Sequence, residues 1–149
     1  MLGGRGRFLA DLAAGAAHVV FVRSSQAHAT ITGIDTTVAE RMPGVHGVFG
    51  AADLGLDGAW IPSLTTPDPD FTAATSLELA EQRLPILAVD RVHYVGQPIA
   101  VVVAGDRYVA EDAAESVVVS YQVLPVLTDA VGPRGRAPPA YAIGFVGDA

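Results

Sequence analysis

The sequence contains no cysteine. That excludes disulfides, a thiolate nucleophile and a cysteine-ligated iron–sulfur cluster in this chain. It contains no lysine either, so its 9 basic residues are all arginine. A Walker phosphate loop, which requires a lysine, is thereby excluded. With 16 acidic residues the net charge is −7, and no basic face for a nucleic-acid partner is present. Long apolar runs are missing as well. None approaches the roughly 18 to 20 residues that a membrane helix needs. The N-terminal "MLGGRGRFLADL" has no signal-peptide apolar region with a cleavage site. The expectation is a cytoplasmic protein with no membrane partner.

What is present is a chain of 149 residues, half of them apolar. That length suits one domain with its own core. Much of the apolar fraction is alanine and valine, which predicts close packing of small side chains.

Periodicity divides the chain into two similar halves. In the first, "HVVFVR" (His18 to Arg23) is apolar on both alternating faces and predicts a strand covered on both sides. "ATITGID" (Ala29 to Asp35) alternates until Gly33, where the break in phase predicts a β-bulge. The short polar "SSQAH" between them reads as a hairpin connection. Thr37 and Glu40 have capping-box spacing ahead of a Pro43-Gly44 stop, which predicts a short helix. "VHGVF" (Val45 to Phe49) is the next strand. The region from Asp57 to Thr75, with its acidic tip "PDPD", reads mostly as a loop.

The second half repeats the order. "PILAVDRVHYV" (Pro85 to Val95) holds one or two extended segments, Gly96 to Pro98 is a turn, and "IAVVVA" (Ile99 to Ala104) is a buried strand. Asp106 is placed to cap a helix whose Val109, Ala113 and Val117 share a face. "VVVSYQVL" (Val117 to Leu124) closes the half as a strand. Each half therefore reads strand, turn, strand, helix, strand. The expected fold is α+β, a mixed sheet with two short-to-medium helices, over residues 1–131. Residues 132–149, rich in glycine, proline and alanine, are expected to form a poorly ordered tail.

Ser24, Ser25, His28 and Asp35 hold the residue types of a nucleophilic triad. A triad needs serine beside histidine and histidine beside aspartate. No G-x-S-x-G elbow surrounds either serine. Asp35, at the far end of its strand, is expected about 20 Å from the tip at about 3.3 Å per residue. The residues are therefore read as structural. His18, His28, His46 and His93 have no metal-ligand spacing, and Asp68 and Asp70 read as a solvated loop. "GGRGRF" lacks the third glycine of a dinucleotide loop. Glu111, Asp112 and Glu115 read as a solvated helix face. No catalytic, cofactor-binding or metal-ligating residue is assigned.

Taken in order, "GRGRFLADL", "VRSSQAHATITGID", "MPGVHGVFGAADL", "AVDRVHYVGQPIAVVVA" and "AEDAAESVVVSYQVLP" resemble the large subunit of the molybdenum hydroxylases. That family includes carbon monoxide dehydrogenase, aldehyde oxidase and xanthine dehydrogenase. The similarity is to its N-terminal a/b hammerhead domain and covers Gly4 to Ala130. The resemblance implies an α+β hammerhead and a structural use for "RSSQAHA" at a strand end. It implies an oxidoreductase family whose full complex holds a molybdopterin cofactor, iron–sulfur clusters and FAD. The family's cofactor-contacting glutamine and active-site glutamate belong to the region after the hammerhead, so Gln97 is not that glutamine.

The implied role is a structural or assembly domain of such a large subunit, catalytically inert alone. Its implied partners are the molybdopterin-binding region and the FAD and iron–sulfur subunits, or a second copy of itself. The alternative is a free-standing module that binds a ligand or self-associates.

Overall fold

The computed structural model describes residues 15–61, 70 and 84–126. Strands β1 (His18–Arg23) and β2 (Ala29–Asp35) are followed by a short helix α1 (Thr37–Glu40) and strand β3 (Val45–Gly50). Three two-residue strands come next: β4 (Trp60–Ile61), β5 (Leu84–Pro85) and β6 (Arg91–Val92). Strand β7 (Pro98–Ala104), helix α2 (Arg107–Ser116) and strand β8 (Val118–Val123) complete the order. The α+β class and the repeated order of elements both hold. The "GGRGRF" stretch, Asp68 and the expected tail at 132–149 lie outside the described residues.

In space the two halves exchange their middle strands. One sheet runs β1-β7-β3 and the other β6-β2-β8, with β4 and β5 as a separate pair. The strand at the centre of each sheet thus comes from the half that supplies the other sheet's edges. Every pairing among the described residues is antiparallel. The expected β1–β2 hairpin is therefore corrected: β1 pairs with β7, and β2 pairs with β6 and β8. Alternation fixes which side chains share a face, and an exchanged pairing satisfies it as well as a hairpin does. The bulge at Gly33 is present as a register shift between Ile31 and Gly33 against β8.

Small side chains set how closely the layers approach. Val22, Val48, Ala100 and Val102 from the first sheet pack on Ala39 of α1 and Ala113 of α2. Ala39, Ala110 and Ala113 are fully enclosed, so the helices sit close over the sheet. Ala29, Ala88, Val92 and Ile99 form a second cluster, with Tyr121 against it. At Gly47 the Phe49 ring lies where a Cβ would stand, 2.6 Å from its nearest atom.

Helix α2 begins as expected. The Asp106 carboxylate accepts hydrogen bonds from the Tyr108 N–H at 2.8 Å and the Val109 N–H at 3.3 Å. Helix α1 begins one residue earlier than its expected box. Its N-cap is Thr36, whose hydroxyl donates to Glu40 Oε1 at 2.8 Å. The Thr37 N–H is satisfied by Asp35 Oδ1 at 2.9 Å.

The expectation that β1 is covered on both sides is also corrected. Val22 is buried toward the helices, whereas Val19 is 56 % exposed and Phe21 42 % exposed. The helices cover one face of this sheet, and no described element covers Val19 and Phe21 on the other.

Candidate functional site

Two of the links that carry the chain from one sheet to the other meet at a single point. Residues 24–28 join β1 to β2, and residues 93–97 join β6 to β7. The Ser24 N–H donates to the Gln97 carbonyl at 2.9 Å, and the Gly96 N–H donates to the Ser24 carbonyl at 2.8 Å. Arg23 adds its guanidinium, which donates to the Gly96 carbonyl at 2.9 Å. Gly96 adopts φ of +88°, a left-handed conformation open to glycine at little cost. The "RSSQAHA" and "VGQP" stretches thus form one polar knot between the two sheets.

Ser24, His28 and Gln97 each bond to nearby backbone. The Ser24 hydroxyl donates to the Gln26 carbonyl at 2.8 Å and accepts from the Gln26 N–H at 3.0 Å. His28 is buried, and its Nδ1–H donates to the Pro125 carbonyl at 2.7 Å. That bond fixes the tautomer, because a carbonyl can only accept. The His28 and His93 rings stack at 5.9 Å between centroids. Gln97 is fully enclosed, and its Oε1 accepts from the His93 N–H at 2.7 Å. Its Nε2 has no acceptor among the described residues.

No triad is assembled. Asp35 closes β2 at the end away from His28, and its carboxylate is held by Thr37. That contact, first from the Thr37 side chain and then from its backbone, lowers the Asp35 pKa below the usual carboxylate range. His18 opens β1 and His46 lies on β3, so the four histidines do not converge. No group of three or more His, Cys, Asp or Glu side chains able to hold a metal occurs among the described residues. Asp70 is exposed.

On α2, Glu111 accepts from Arg107 at 2.8 Å, a contact that raises the Arg107 pKa. Asp112 and Glu115 are exposed. Glu111 and Glu115 also border an open groove of about 450 Å³ between β1, α2 and β8. The sequence reading of a wholly solvated face missed this groove, since the approach of β8 to β1 is a tertiary event.

These residues do not fit a phosphate-bearing pterin cofactor. The hydrogen bonds that the knot makes run to the chain's own backbone, and Gln97 is fully enclosed with its Oε1 held by the His93 N–H. The open groove presents Glu111, paired with Arg107, and Glu115, while the Arg23 guanidinium at its end is turned onto the Gly96 carbonyl, so no described cation is aimed at an anionic group. The arrangement can brace two sheets against each other, and no chemical step is derived from it.

The chain matches the model of the aldehyde oxidase and xanthine dehydrogenase a/b hammerhead domain over residues 3–125. It is 42% identical over 130 residues to the nicotine 6-hydroxylase large subunit of Paenarthrobacter nicotinovorans, covering 87% of this chain and 15% of that protein. It is 46% identical over 110 residues to the carbon monoxide dehydrogenase large chain of Afipia carboxidovorans, covering 73% of this chain and 12% of that one. Among solved structures, quinoline 2-oxidoreductase from Pseudomonas putida 86 superposes with a TM-score of 0.67 at 37% identity, covering 83% of this chain and 15% of that chain. The sequence thus spans about one seventh of these relatives' length. With the exchanged sheets and the match over residues 3–125, the chain belongs to the a/b hammerhead domain family of aldehyde oxidases and xanthine dehydrogenases.

Proposed function

We propose that this chain is a structural and assembly domain of a molybdenum hydroxylase large subunit, inert in catalysis by itself. One observation carries the reading. The two most distinctive stretches of the sequence are tied to each other, in the Ser24–Gln97 and Gly96–Ser24 backbone bonds. The domain's task is then to present a braced, prefolded surface. Its partners are the molybdopterin-binding polypeptide and, through it, subunits that carry FAD and iron–sulfur clusters. The molybdopterin cofactor would supply the oxidation chemistry from that polypeptide.

Co-expression tests this. The full chain is produced in a cofactor-competent host with the nicotine 6-hydroxylase large subunit of P. nicotinovorans from which its own matching segment has been deleted. The expected result is a co-purifying complex, with molybdenum in the complex and none in the chain purified alone. Stoichiometric molybdenum in the isolated chain, or no complex, would overturn the reading.

A further inference from the structure

An open groove runs beside β1. Strand β1 ends its sheet and pairs only with β7, so its other edge carries backbone N–H and C=O groups with no ladder partner among the described residues. Consecutive β1 residues, Val20 and Phe21 among them, line the groove, which means the edge itself forms a wall. Val119 and Tyr121 of β8 contribute an apolar side, and Glu111 and Glu115 of α2 contribute an acidic one. Exposed, apolar strand edges are templates for pairing with another chain.

We infer that this edge accepts an extended segment of the molybdopterin-binding polypeptide, apolar toward Val119 and Tyr121 and carrying a Lys or Arg against Glu115. The added strand would extend the sheet to β1-β7-β3 plus one. Charge decides between occupants. Glu111 is already paired with Arg107, whereas Glu115 is exposed with no cation in contact among the described residues. The Arg23 guanidinium, the cation at the groove's end, is turned onto the Gly96 carbonyl and lies over the Phe21 ring at 5.3 Å. A second copy of the chain would bring its own net charge of −7 and the same carboxylates to this slot. A basic strand from another polypeptide is favoured where a second copy is opposed.

This inference rests on the assembly reading, and hydrogen exchange on the co-expressed complex separates the two. Within Val19 to Val22, the alternate amides that face away from β7 should gain protection in the complex relative to the chain alone, and Glu115→Lys, on an exposed helix position, should weaken the complex about tenfold. A complex that leaves those amides unprotected, or that Glu115→Lys does not weaken, overturns the strand inference and leaves the assembly reading standing. Protection that rises with the concentration of the chain alone assigns the edge to a second copy and also overturns it. Failure to form any complex removes both.

Discussion

Ser24 and Gln97 are joined through their backbones at 2.9 Å, although they belong to different halves of the chain. The bond lies where the β1–β2 and β6–β7 links pass, so it ties the exit of β1 to the entry of β7. Gly96 completes the tie by donating to Ser24 and accepting from Arg23. Its φ of +88° is costly for any residue with a Cβ.

Gly96→Ala is therefore expected to lower stability by about 1–2 kcal/mol, the cost of a left-handed non-glycine residue. Gly33→Ala is the control. A Cβ there meets nothing within 4 Å and Gly33 has no positive φ, so its effect should stay within about 0.5 kcal/mol. Urea denaturation of the two variants side by side measures the difference. Equal midpoints would show that the knot does not depend on the Gly96 conformation.

His28 and Ser24 differ in what their loss removes. His28→Ala deletes a buried ring and its bond to Pro125, and leaves that carbonyl without its histidine donor. A loss of about 1–3 kcal/mol is expected. Ser24→Ala removes a hydroxyl bonded locally to Gln26, and about 1 kcal/mol is expected. Neither Ser24 nor Ser25 should react with a fluorophosphonate probe. Selective labelling of either serine would restore the nucleophilic-triad reading.

Local features of the fold were legible in the sequence, and its pairings were not. The limits of β1 and β2, the bulge at Gly33 and the cap at Asp106 follow from alternation, a phase break and a side chain placed to meet free N–H groups. These are decided within a few residues. The hairpin expectation failed because "SSQAH" has the length and polarity of a turn whether β1 finds β2 or β7. The contacts of the knot were invisible for the same reason: nothing near Ser24 specifies a partner at Gln97. Apolar residues on both faces of β1 indicated burial on both sides, and the domain's own helices provide it on one.

The cap on α2 can be tested separately from the knot. Asp106 satisfies two N–H groups that the helix cannot satisfy internally. Asp106→Ala should cost about 1 kcal/mol, and Asp106→Ser should recover most of it. Because α2 supplies Ala113 to the core, the loss should appear in global unfolding as well as in helix fraying. Hydrogen exchange across residues 107–116 distinguishes the two. Faster exchange confined to the first turn would show that the cap affects fraying alone.

Asp35 gives the fold a dependence on acidity whose sign is fixed. Its pKa is lowered in the folded state by the hydrogen bonds of Thr37, so the unfolded chain binds a proton more readily than the folded one. The contribution is present above the unfolded pKa and is lost as pH falls through the lower folded value. Stability should therefore decline on acidification through and below the usual carboxylate range. Asp35→Asn can still accept the Thr37 N–H through its amide oxygen and cannot titrate. Its denaturation midpoint should fall less steeply with acid than that of the parent chain, while the two remain close at neutral pH. The comparison is a series of urea midpoints from neutral pH into the acid range. Parallel curves for the two proteins would show that the Thr37 contact does not couple Asp35 to folding.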